Sequence, residues 1–120
     1  LIKAISLDPE NHLYYNALGF LFSITGNSEK ALAAYQMSLD RKNENPYALY
    51  NMGIEYINLF ELEVGSKKLI KAGNIYLKQG NLNKVMLVIN ELETLQTNEF
   101  DIKKDIENLK TEINKIIMEA

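Results

Sequence analysis

One register runs through this sequence twice, 34 residues apart. Tyr15, Leu18, Gly19, Phe22, Gly26, Ala31, Tyr35 and Ser38 make the first pass. Leu49, Met52, Gly53, Tyr56, Phe60, Gly65, Leu69 and Ala72 make the second, each 34 after its counterpart, with Phe60 standing where Gly26 stood. An interval of this size marks a stacked repeat, in which a unit cannot bury its apolar face alone and needs its neighbour. Any antiparallel helical hairpin would explain either set by itself, but not the constant interval.

The local physics is helical. Tyr15, Leu18, Gly19 and Phe22 are spaced i, i+3, i+4 and i+7 and share one face. Gly19 is the small residue that admits a second helix. After Gly26-Asn27-Ser28, Ala31, Tyr35 and Ser38 give a stripe that is small at its ends and bulky in the middle, so large meets small across the pair. This order of bulky residue, Leu, Gly and aromatic, then small, bulky and small after a turn, resembles the tetratricopeptide repeat, a helix–turn–helix unit. The resemblance covers residues 1 to about 79 and the remainder in part. It implies an all-α chain, a superhelix of stacked antiparallel helix hairpins ending in a C-terminal capping helix. Asp8-Pro9 falls where one repeat of this family ends and the next begins, and Leu1 and Ala4 take the last bulky and small positions of an earlier helix. The expectation is therefore a chain that starts mid-repeat within a longer array. Residues 1–8 are the tail of an upstream repeat, 9–79 two repeats, and 80–120 a C-terminal helical hairpin that caps or begins a further repeat.

Caps and breakers set the expected helix limits. Asp8 reads as an N-cap with Pro9 at the first helical position, and that helix runs to about Thr25. The next opens at Asn27 or Ser28 and runs to about Lys42, and the Asn45-Pro46 pair starts a third that ends near Leu59. A fourth spans about 62–79 and a fifth 82–95. Asn98 with Asp101 reads as a capping box for a last helix to about 118.

Two segments carry a double meaning. Gly65, Leu69 and Ala72 read as the second helix of repeat two, whereas Leu69, Ala72, Gly73, Tyr76 and Gly80, continued by Val85, Ile89 and Leu92, read as the first helix of another repeat. Gly53 and Gly73 are 20 apart, not 34, so one long helix serving both neighbours is the expected solution. In the last helix Ile102, Ile106, Leu109, Ile113 and Ile116 recur with heptad spacing, with charged residues on the other faces. It reads either as a cap with a polar outer side or as a coiled coil between two chains, a homodimer through residues 98–118. The cap is preferred. Two and a half heptads are fewer than a coiled coil requires, and Ile117 widens the stripe.

Composition removes several classes of function. The 120 residues include 13 basic and 16 acidic side chains, well interspersed, for a net charge of −3, and every basic residue but Arg41 is lysine. No broad electropositive face for nucleic acid is expected. Apolar runs are too short for membrane insertion, and zero cysteines remove disulfide and thiol chemistry without fixing a compartment, a cytoplasmic setting being the expectation. His12, the single histidine, sits in a first helical turn and reads as a solvated surface residue. No His, Asp or Glu cluster has metal-ligand spacing and no Gly-rich phosphate loop is present, so no cofactor, no metal and no catalytic residue is assigned, and the chain is not expected to be an enzyme.

A second stripe remains on the first helix of each repeat. Leu13, Asn16, Phe20 and Ile24, with Ser23, lie beside the packing face, and Tyr47, Tyr50, Asn51, Ile54 and Asn58, with Ile57, are their counterparts. A helix apolar on two faces is either sandwiched or presents a binding surface. The resemblance implies that these positions line a groove for an extended peptide or a helix of a protein partner. The competing expectation is that the chain's own later helices, or an upstream repeat, fill it. A carboxylate clamp of the chaperone-binding kind is not expected, because Asn16 and Phe20 replace its first Lys and Asn, although Asn51 matches and Lys67 with Lys71 imitate its basic pair. A protein-interaction scaffold is the functional reading, against a self-association module or a regulatory domain of a larger enzyme.

Overall fold

A computed structural model describes residues 10–95 and 101–119 of the chain. These hold six helices and no strand, α1 His12–Ile24, α2 Ser28–Arg41, α3 Pro46–Asn58, α4 Leu62–Lys78, α5 Leu82–Leu95 and α6 Lys103–Glu119. The expected upstream tail at 1–8 lies outside the described residues, as does Asn98.

The first helix begins later than the Asp8-Pro9 pair suggests. Its N-cap is Asn11, whose side chain accepts from the Leu13 N–H at 3.0 Å. The N-cap of α3 is Asn45, whose side chain accepts from the Ala48 N–H at 3.2 Å, with Pro46 at the first helical position. Asn11 and Asn45 are 34 apart, so the period fixes the cap, and the Asp-Pro and Asn-Pro pairs, 37 apart, are not equivalent. At the last helix Asp101 accepts from the Lys103 N–H at 2.9 Å, at the helix start.

Three turns share one hydrogen-bond pattern. Asn27, Glu61 and Asn81 donate their N–H groups to the carbonyls of Phe22, Tyr56 and Tyr76, at 2.8, 2.9 and 2.9 Å. Gly26, Phe60 and Gly80 donate to Ser23, Ile57 and Leu77, at 3.0, 2.9 and 3.0 Å. This double closure is the Schellman motif, which needs a left-handed residue at its hinge. Gly26 and Gly80 supply it freely, whereas Phe60 adopts φ 63° with a full side chain. The third turn comes 20 residues after the second, so α4 ends as the first helix of a hairpin although it begins as the second helix of one. One long helix does serve both neighbours.

The glycines mark where helices close. A Cβ on Gly19 would lie 2.6 Å from the Tyr35 ring, and one on Gly53 would lie 2.9 Å from Leu69 Cγ and 3.0 Å from the Gly65 carbonyl. The first hairpin thus packs glycine on an aromatic face, and the second packs two glycine backbones on each other. Gly73 takes the same role one helix later, its Cβ position lying 3.0 Å from Val88 and 3.4 Å from Leu109.

Two cores result. The smaller joins Ala31, Tyr35, Ala48 and Met52 among α1, α2 and α3. The larger runs through Leu49, Leu69, Ala72, Ile75 and Tyr76 into Val85, Val88, Leu92, Ile106, Leu109 and Ile113. Of the five heptad residues, Ile102, Ile106, Leu109 and Ile113 are buried in it and Ile116 is exposed, so the seam of α6 faces its own chain over all but its last position. Ile116, Ile117 and Met118 stay exposed, and a homodimer through this helix would have to use them. Burying a side chain the size of Leu109 contributes about 2–3 kcal/mol.

Candidate partner-binding groove

The groove-side stripe of α1 is open. Leu13 and Ile24 are 59% and 62% exposed, Phe20 is half-exposed, and Tyr47 at the start of α3 is nearly so. None of them contributes to either core. Asn16, by contrast, is 6% exposed, buried beneath this stripe.

Farther along α3 the same stripe is covered. Tyr50 and Ile54, with Ile57, pack against the larger core that α4, α5 and α6 share. Burial, and after it the Glu91 carboxylate of α5, hold the Tyr50 phenol above its ordinary range. Tyr76 of α4 is raised in the same way, by burial first and then by Tyr50 and Tyr47. The expected nine-residue surface therefore divides. Leu13, Phe20, Ile24 and Tyr47 remain free, Asn58 is exposed, and Asn51 is partly buried. The Asn51 carboxamide donates to the Tyr47 carbonyl at 3.0 Å, and Lys67 pairs with Glu63 at 3.5 Å. Both are the residues a carboxylate clamp would have borrowed.

A pocket of about 460 Å³ opens between α1 and α3 at the end where both helices begin. Its lining includes His12, Leu13, Asn16, Ala17, Lys42 and Tyr47. His12 is partly buried and belongs to this wall, which corrects its reading as a solvated residue. The cause is Ser38, whose hydroxyl donates to the His12 carbonyl at 2.8 Å and accepts from the Asn45 carboxamide at 2.9 Å. That chain of bonds ties the start of α1, the end of α2 and the cap of α3 into one corner. Burial, and after it the Lys42 ammonium, pull the His12 imidazole below its usual range.

Sequence reasoning misses one further pair. Glu55 is buried on α3, and its carboxylate accepts a hydrogen bond from the Ser23 hydroxyl of α1. The Tyr35 phenol, raised chiefly by burial, also feels Tyr47 and this carboxylate. A buried carboxylate costs stability unless it is hydrogen-bonded, so Ser23 and Glu55 lock the crossing of the two repeats. The available signal is a Glu on the packing side of an otherwise apolar helix.

A tetratricopeptide repeat family model matches residues 1–33. The TPR repeat-containing protein MJ1428 of Methanocaldococcus jannaschii is 33% identical over 77 residues, which covers 64% of this chain and 13% of that protein. The chain thus spans a small part of the length of the curated relative it matches. With the 34-residue period and the three matching turns, these findings make the chain similar to tetratricopeptide-repeat proteins. Such repeats are protein–protein interaction modules, typically non-enzymatic. Among the described residues no helix is long and apolar enough to cross a membrane, and no group of three His, Asp or Glu side chains would hold a metal ion.

Proposed function

We propose that this chain is a protein-interaction scaffold that binds an extended peptide or a helix of a partner along the open stripe of α1 and the first turn of α3. Residues 9–79 act as two repeats, and 80–120 as the hairpin that covers their far side. The observation that carries this reading is the exposure of Leu13, Phe20 and Ile24 on one helical face, although neither core uses them. Apolar residues aligned in this way are more than the scattered exposure common on protein surfaces. Aromatic side chains at the centre of such a face are frequent hot spots, which points to Phe20 and Tyr47 as anchors.

The test begins with the protein that co-purifies with the full-length molecule. Phe20→Ala with Tyr47→Ala should weaken its binding by about 1–3 kcal/mol per anchor while helicity stays unchanged. Undiminished binding by the doubly altered protein would exclude this stripe and move the search to the exposed Ile117 and Met118 of α6.

A further inference from the structure

One face of the α5–α6 hairpin is an open groove. α5 ends at Leu95 and α6 starts at Lys103, and the Glu93 carboxylate pairs with the Lys110 ammonium at 3.3 Å, so the helices run antiparallel with these two residues at one level. Two turns away, about 10 Å along each helix, Met86 and Ile117 stand opposite each other, and Asn90 and Asn114 lie between the two levels. Ile89 and Ile113 complete the lining, and the space between the helices is about 350 Å³. Among the described residues no other helix lines it. Met86 and Ile117 are 54% and 57% exposed, whereas Ile89 and Ile113 beside them are buried. An apolar floor that continues into exposed apolar walls is more than scattered surface exposure.

We propose that this groove pairs with the same groove of a second copy of the chain, two antiparallel hairpins closing a four-helix bundle about a two-fold axis parallel to the helices. Complementarity selects both the occupant and the axis. Rotation about such an axis sets α5 of one copy against α6 of the other at unchanged height. Met86 then meets Ile117 of the second copy, Asn90 meets its Asn114, and Glu93 meets its Lys110. Apolar faces apolar, a carboxamide that both donates and accepts faces another, and anion faces cation at both symmetric positions. A two-fold axis perpendicular to the helices inverts the second hairpin and puts Met86 against Glu93 of the second copy. Walls that match each other level by level make the groove complementary to itself, as an isologous interface requires. The heptad seam takes little part, because Ile106 and Leu109 are committed to the chain's own core. Phe20 and Tyr47 lie outside this groove, so the dimer holds whether or not the α1 stripe binds a partner.

Sedimentation equilibrium on the 120-residue chain, carried up to about 1 mM, should show twice the mass of one chain. Ile117→Asp should weaken association about tenfold or more and leave helicity and melting unchanged, because that side chain is exposed. Charge then reads the orientation. Glu93→Lys alone and Lys110→Glu alone should each weaken self-association about tenfold by facing like charges. An equimolar mixture of these two variants should associate about as tightly as the native chain, since every facing pair is then opposite in sign. A chain that stays monomeric at about 1 mM overturns the proposal and leaves the groove to a helix of another protein. A dimer indifferent to Ile117→Asp overturns it too, and so does a mixture that fails to restore association. If a charge variant does not fold, the native chain and Ile117→Asp decide alone.

Discussion

The same stripe has opposite fates on α1 and α3. Positions 34 apart carry similar apolar character, yet Phe20 is half-exposed while its counterpart Ile54 is packed against a core. The difference lies in the helices stacked beyond each one. After α3 the chain adds α4, α5 and α6, whose shared core reaches Tyr50, Ile54 and Ile57. No described element covers α1 in that way. A repeat position therefore does not fix a role. Whether a stripe is core or binding surface depends on its neighbour in the stack.

The most severe test of the comparison is Gly53→Leu. Its side chain would have to occupy space held by Leu69 and by the Gly65 carbonyl, and backbone cannot yield. We expect a loss of about 3 kcal/mol in urea unfolding. A loss below ~1 kcal/mol would show that α3 and α4 are not in close backbone contact.

The next test separates the two stripes directly. Tyr50→Ala should cost about 2 kcal/mol because Tyr50 packs on the larger core, whereas Phe20→Ala should change stability by less than ~0.5 kcal/mol. Equal losses would erase the contrast between α1 and α3, and a stable Tyr50→Ala protein would return that residue to the open groove.

A smaller effect compares the turns. Phe60 holds φ 63° with its side chain 89% exposed, so it bears the left-handed cost without a packing gain. Phe60→Gly should stabilise the chain by roughly 0.5 kcal/mol, the relief of strain being partly offset by the freer unfolded chain. In thermal unfolding this is a rise of about 2–4 °C, and a fall would mean that Phe60 makes a contact in the folded protein.

The smallest effects come from pH, and they act on opposite sides. Tyr50 and Tyr76 are held above their ordinary value of 10.0, so the folded chain keeps phenolic protons that the unfolded chain releases. Their stabilisation is complete below pH 10.0 and is lost as pH rises toward the folded values. His12 is held below its ordinary 6.5, so its contribution is present above pH 6.5 and is lost as pH falls through the folded value. Urea midpoints should decline at both ends. His12→Gln should flatten the acid limb alone, and Tyr50→Phe part of the alkaline one. If either variant altered the opposite limb, the assignments would be wrong.

Much of the fold is legible in residue spacing. Gly19, Gly53 and Gly65 announce close helix contacts, and the two readings of Leu69 to Gly80 announce a helix shared by two hairpins. The start of α1 is misread because Asp8-Pro9 is a strong local signal, while the Asn11 cap is visible only by carrying Asn45 back through the period. The candidate site is less legible. Leu13, Phe20, Ile24 and Tyr47 are exposed, but Tyr50 and Ile54 look the same on a helical projection and are covered. His12 gives no sign of burial, because the Ser38 and Asn45 bonds that hold it come from residues 26 and 33 positions away.

Residue spacing sets most helix limits, the turns and the glycine contacts between helices, because each depends on residues within about one hairpin of one another. Spacing, caps and left-handed hinges are local properties, and a period repeats them. Tertiary structure alone decided which face of α3 is core, that the α6 seam turns inward, and that His12 and Asn16 line one pocket. Those outcomes depend on long-range packing, where the gain from covering an apolar face is set by which later helix reaches it.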